Sequence, residues 1–218
     1  MGMQRVCALV VAVLVGVLAL SGCARTVAGT AVADPAAGVS AASEDGAVVV
    51  GEGGRRITMF LEPMCPACRM LERQYGDQIR EAVLAGRLTV AYRMLTFLDT
   101  ESASGDYSTR ATVAFHAASV GTSDAVTLEF LRALYDEQPR GATDLDNDGL
   151  ASLAAAAGVP ESVAERIRTG STGVDGKAVG AANGALLTEV GGTGTPTVLA
   201  DGRRVDLNDA AWLQKIVG

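Results

Sequence analysis

Cys65 and Cys68 stand two residues apart around Pro66 and Ala67, and this spacing is the part of the 218-residue chain best suited to covalent chemistry. Two thiols so placed at the start of a helix can close a small disulfide ring and reopen it, which makes an exchange centre. As a brace the pair would do little, because linking near neighbours removes little loop entropy from the unfolded chain. Pro66 suits the first helical position, where its missing N–H costs nothing. Cys68, Leu71, Tyr75, Ile79 and Val83 then continue as an apolar helical stripe. Cys68 is therefore expected to face inward. Cys65 is expected to be exposed at the helix mouth, where unpaired N–H groups and the positive dipole end favour a thiolate. The predicted roles are Cys65 as attacking sulfur and Cys68 as resolving sulfur, with an inert bridge as the alternative. A zinc site takes about four ligands, and His116 is the one histidine available beside the two thiols. Neither a metal nor a bound cofactor is expected.

The surrounding pattern supplies elements to hold these sulfurs. Ile57 to Leu61 is a continuous apolar run suited to a strand buried on both faces, and it leads directly into Cys65. A thiol after a buried strand and before a helix lies at the carboxyl end of the sheet, where open α/β folds build their sites. Ala47 to Val50 reads as a first short strand. Gly86 closes the helix, and Leu88, Val90, Tyr92 and Met94 alternate along the next strand, which completes a β-α-β unit. From about 107 to 190 the periodicity is helical, with faces through Ala111, Phe115 and Ala118, through Leu128, Leu131, Leu134 and Tyr135, and through Leu150, Leu153, Ala154 and Ala157. This block reads as an inserted helical subdomain beside the sheet. Thr197 to Ala200 and Arg203 to Val205 flank Asp201-Gly202, a hairpin signal, and Asn208 is placed to cap a last helix carrying Trp212, Leu213 and Ile216. The fold class is α/β.

Two other motifs invite functional readings. Asp144-Leu145-Asp146-Asn147-Asp148-Gly149 matches the opening of a calcium loop, but the twelfth position is Ala155 rather than a bidentate glutamate. A polar loop ending in a cap for the Leu150 helix is the simpler account. His116 lies between Phe115 and Ala117 with nothing in the sequence to pair it with the thiols, and reads as a solvated or half-buried helix residue.

The N-terminus reads as an export signal over residues 1–22, with Arg5 before an apolar run from Val6 to Leu20. Leu20-Ser21-Gly22-Cys23 resembles the bacterial lipoprotein signal, which implies cleavage before Cys23 and lipid attachment there. Several acyl chains on one cysteine would hold the chain to a membrane. Residues 23–45, rich in Ala, Gly, Ser and Val, read as a flexible tether, and 46–218 as the domain. Cys7 leaves with the signal. The signal carries one basic and no acidic residue, so a whole-chain charge of −7 becomes −8 after cleavage, which argues against nucleic acid as a partner. Export also places the thiols where disulfides form and persist.

The order of elements resembles the DsbA-like branch of the thioredoxin superfamily over about residues 46–217: strand, C-x-x-C helix, strand, helical insertion, then Thr-Pro, hairpin and terminal helix. The stretch Phe60 to Cys68 and Gly194-Thr195-Pro196-Thr197 carry the resemblance. It implies a thioredoxin-like fold, a cis bond before Pro196 against the thiols, and backbone groups of Thr195 that pair with an extended substrate peptide. Two departures are visible. Strongly oxidising members carry a histidine where this chain has Ala67, and the superfamily often buries a carboxylate six residues before the first cysteine, where this chain has Met59. Glu62 is nearer, with its direction unset by the sequence. The expected function is a membrane-tethered thiol-disulfide oxidoreductase acting on exported cysteine-containing proteins in the oxidising direction, reoxidised by a membrane redox partner. A reductase of the same fold is the runner-up, and a tethered chaperone-like protein with incidental thiols is the reading from another class.

Overall fold

A computed structural model describes residues 45–140 and 143–218; the signal segment 1–22, Cys23 and residues 24–44 of the tether lie outside the described residues. Five strands form one sheet in the order β1-β3-β2-β4-β5. They are β1 (Val48–Val50), β2 (Arg55–Leu61), β3 (Leu88–Met94), β4 (Thr197–Ala200) and β5 (Arg203–Arg204). β2 and β3 run parallel, joined by helix α1 (Pro66–Leu84), while β1 pairs with β3 and β4 with β2 in the antiparallel sense.

The centre of the sheet is dry. Ile57 to Leu61 are all buried, and so are all seven residues of β3. The alternation of Leu88, Val90, Tyr92 and Met94 does not mark a solvated face, because Thr89, Ala91 and Arg93 between them are buried as well. α1 lays Cys68, Leu71, Tyr75, Ile79, Ala82 and Val83 onto Ile57, Met59 and Leu61. Gly86 follows its end with φ +68, the left-handed conformation that favours glycine.

Five helices lie between β3 and β4: α2 (Tyr107–Ser119), α3 (Asp124–Asp136), α4 (Asn147–Ala156), α5 (Glu161–Thr169) and α6 (Gly176–Glu189). The first four bury their apolar faces in the same core as α1. α6 does otherwise: Leu186, Leu187 and Val190 close over Phe60, Leu95 and Leu199 in a separate cluster. Phe60 alternates with Met59 and Leu61, so this cluster covers the other face of the sheet. The helical block is thus divided between the faces rather than gathered beside the sheet. α6 approaches closely where Gly180 meets Thr96; a Cβ there would fall 2.3 Å from Thr96 Oγ1.

At the carboxyl terminus Asp201 and Gly202 both take positive φ, 50 and 74, which joins β4 to β5 by a tight turn. The last helix, α7 (Trp212–Val217), begins later than a cap at Asn208 would place it. Asp206 Oδ1 instead accepts from Asn208 N and Nδ2 at 3.0 and 3.1 Å and holds those residues in a turn. Trp212 meets Tyr75 edge to face at 5.2 Å and fixes α7 against α1.

Candidate active site

β2 and β3 end side by side, Leu61 opposite Met94. Beyond Leu61 the chain turns through Glu62, Pro63 and Met64, and Cys65 N donates to Glu62 O at 3.1 Å. Cys65 is the N-cap of α1, with Pro66 in the first turn, and its Sγ accepts from Cys68 N at 3.4 Å. The antiparallel register of β4 sets Thr197 opposite Phe60, so the residues before it fall beside the turn that holds Cys65. Thr195–Pro196 is a cis peptide bond, and the Cys65 thiol donates to Thr195 O at 3.3 Å. Sheet register, not sequence proximity, brings residues 65 and 195 together.

Both cysteines are free thiols. Cys68 is fully buried, while Cys65 is 7% exposed, less open than its helix-mouth position suggested. One physical source is the Thr195 carbonyl, which lies against the sulfur at 3.3 Å. Of the pair, only Cys65 keeps any solvent exposure.

Their acidities diverge. The Cys65 thiol is lowered from 9.0 to about 5, first by its hydrogen bond with Cys68, against the opposing effect of burial, and further by the Thr195 side chain and the N–H groups of Cys68 and Ala67. Burial pushes the Cys68 thiol far up, and the adjacent Cys65 adds to this. One sulfur is a thiolate at neutral pH and the other a thiol, which is the division of labour that exchange by attack and resolution requires.

The carboxyl end of α3 supports the turn. Gln138, 4% exposed, donates through Nε2 to Pro63 O at 2.9 Å and to Cys65 O at 3.0 Å, and Tyr135 Oη donates to Glu62 O at 3.3 Å. Glu62 itself is fully buried; its Oε2 accepts from Met64 N at 2.7 Å and its Oε1 from the Ser108 hydroxyl. Burial raises its carboxyl from 4.5 to about 7, although the bonds from Ser108 and Met64 pull the other way. Met59, six residues before Cys65, is buried with no exposure. Sequence reasoning missed Gln138, Tyr135 and Ser108 at this site. A signal was present, since Gln138 extends the apolar stripe of Leu131 and Tyr135, and Ser108 that of Ala111, Thr112 and Phe115; a polar residue in such a stripe needs a partner.

The remaining sequence candidates lie elsewhere. Asp144 accepts from Ser104 N at 2.8 Å and pairs with Arg110 at 2.9 Å, while Asp146 caps α4 by accepting from Gly149 N at 2.8 Å. The aspartates of the calcium-like loop are thus engaged by the fold. His116 is half-buried on α2, and burial lowers it from 6.5 to about 4, so it is neutral at physiological pH. Neither bonds to the cysteines.

The thioredoxin family profile matches residues 48–218. The serine/threonine-protein kinase PknE of Mycobacterium tuberculosis is 34% identical over 168 residues; the match covers 74% of this chain and 29% of the kinase, so the chain spans under a third of that relative. Among solved structures, DsbA from Mycobacterium tuberculosis is 28% identical with a TM-score of 0.64, covering 79% of this chain and 92% of that one. MdbA, a thiol-disulfide oxidoreductase from Corynebacterium diphtheriae, superposes with a TM-score of 0.68 over 79% of this chain and 90% of that one; at 24% identity this speaks to the fold. With a dissimilar thiol pair at the carboxyl end of β2 and a cis Thr-Pro loop against it, the chain belongs to the thioredoxin family and is DsbA-like.

Proposed function

We propose that this chain exchanges disulfides with exported cysteine-containing proteins, in the oxidising direction, while held to the outer face of the cytoplasmic membrane by lipid on Cys23. The observation that carries the reading is the pairing of an acidic, slightly exposed Cys65 with a buried Cys68 held as a thiol. A substrate thiolate attacks Cys65 Sγ of the disulfide, the Cys65–Cys68 bond breaks, and a mixed disulfide forms on Cys65. A second substrate thiolate then attacks the substrate sulfur, and the Cys65 thiolate leaves. The substrate gains a disulfide, and the dithiol is returned to the disulfide by a membrane redox partner. Thr195 O, 3.3 Å from Cys65 Sγ in the dithiol, supports a reading in which an extended substrate peptide pairs there.

The stability of the Cys65 thiolate supports the oxidising direction, because it favours the dithiol and so makes the disulfide a better oxidant. Ala67 contributes its N–H but no side-chain donor, and this keeps a reductase as the second reading. Trapping decides the function: Cys68→Ala in the native host is expected to accumulate mixed disulfides on Cys65 with exported proteins. Absence of adducts would favour a chaperone-like role with incidental thiols. Equilibration with glutathione decides the direction, since a potential near the thioredoxin value of about −270 mV would replace oxidase by reductase.

A further inference from the structure

We propose that Gln138, at the carboxyl end of α3, is the positioning residue of Cys65: by donating to Pro63 O and Cys65 O it fixes the cap conformation in which the attacking sulfur meets its donors, and so lets the helical insertion set the reactivity of the exchange centre. The link to reactivity rests on the exchange reading above.

The local sequence prepares Gln138 for this task. α3 ends at Asp136, Gln138 N still donates to Tyr135 O at 3.4 Å, and Pro139 disfavours a further helical turn at the residue before it. The side chain is 4% exposed and lies 73 residues from Cys65 in sequence, with its amide between two carbonyls at 2.9 and 3.0 Å. Only the NH2 end of an amide can serve two such acceptors, one proton to each. Pro63 and Cys65 stand on either side of Met64, so one amide clamps two carbonyls of the turn that leads into α1.

Such a clamp matters because the sulfur is stabilised by neutral groups fixed in direction: the Cys68 thiol, the Thr195 side chain and the N–H groups of Cys68 and Ala67. Cys65 reaches them as the N-cap of α1, with φ −67 and ψ 117. That conformation is held at its nitrogen by Glu62 O at 3.1 Å, and at its carbonyl by Arg69 N at 3.2 Å and by Gln138. The first two holds belong to the turn and to α1; Gln138 brings the third from the insertion. The titratable groups beside Cys65 are Cys68 on α1, Glu62 on the turn and Tyr135 on α3. Gln138 carries no charge, so it acts on the thiol by placing it. Asn183 offers a comparison, since its buried amide also donates to two carbonyls, Gly46 O and Met94 O, but makes no bond to the thiol turn among the described residues.

The test uses the full reduced chain, with Cys65 titrated by thiolate absorbance and by the pH dependence of its alkylation. Gln138→Met keeps the bulk and removes the donor; it is expected to raise the Cys65 midpoint from about 5 by roughly one unit. At pH 7 that leaves the dithiol about tenfold less favoured in equilibrium with glutathione, a potential about 30 mV lower. Asn183→Ala removes the comparable amide elsewhere and is expected to leave the midpoint in place. An unmoved midpoint in Gln138→Met, or an equal rise in Asn183→Ala, overturns the proposal. If Gln138→Met does not fold, the wild-type chain decides: the side-chain amide resonances of Gln138 should shift with a midpoint of about 5 and stay still in Cys65→Ser, and a flat wild-type profile overturns the proposal. A wild-type Cys65 that titrates near 9.0, like an unconstrained thiol, overturns the exchange reading itself, and the proposal with it.

Discussion

Replacing Cys65 by serine in the reduced protein should change how stability depends on pH. The thiol has a pKa of 9.0 in an unconstrained chain and about 5 in the fold. A group lowered on folding stabilises the fold in full above its unfolded value, and this contribution disappears as pH falls through the folded value. At about 1.4 kcal/mol per unit, four units give roughly 5 kcal/mol above pH 9, about 3 kcal/mol at pH 7, and under 1 kcal/mol at pH 5. Cys68 stays a thiol throughout this range and contributes none of it. Urea titrations of both proteins under a phosphine reductant, from about pH 5 to 9, would give the difference directly. The gap between wild type and Cys65→Ser should widen by roughly 2 kcal/mol from pH 5 to 7. Because the disulfide form has no thiolate to stabilise, about 3 kcal/mol also means the dithiol is favoured by roughly 100-fold at pH 7 over an otherwise equal site. Parallel stability curves would refute the reasoning, and with it the thiolate stabilisation on which the proposed oxidising direction rests.

Gln138→Ala should cost about 1–3 kcal/mol, because Pro63 O loses its bond from Nε2 while Cys65 O keeps its helical partner, Arg69 N. Chemical denaturation measures that loss, and slower alkylation of Cys65 should accompany it if the amide holds the sulfur in place. Asn183→Ala should cost about 2–4 kcal/mol, since the amide donates to Gly46 O and Met94 O and accepts from Arg93. There the Cys65 titration should stay unchanged, which separates a remote brace from the site.

The fold was most legible where burial and period agree. The stripe from Cys68 to Val83 and the run into Leu61 state their elements because one apolar face has one place to go. β3 was harder, since a strand between two others loses both faces to the interior and its polar members Thr89 and Arg93 look like surface residues in isolation. α6 could not be assigned to a face from its own periodicity; its partners Phe60 and Leu199 come from distant strands. For the same reason the cysteines, Pro66 and Thr195 could be named from local motifs, whereas Gln138 and Ser108 reach the turn only through helix packing across about 40–75 residues of chain.

β1 runs against β3, so its beginning lies beside the end of β3, and Asn183 and Arg93 pin Gly46 and Asp45 there. That is the edge of the sheet from which the sulfurs project. Any leash upstream of residue 45 therefore tugs at the business end of the molecule rather than at its far pole. A protein moored this way would meet partners close to its mooring first, and the length of the leash would set how far from the surface it can work.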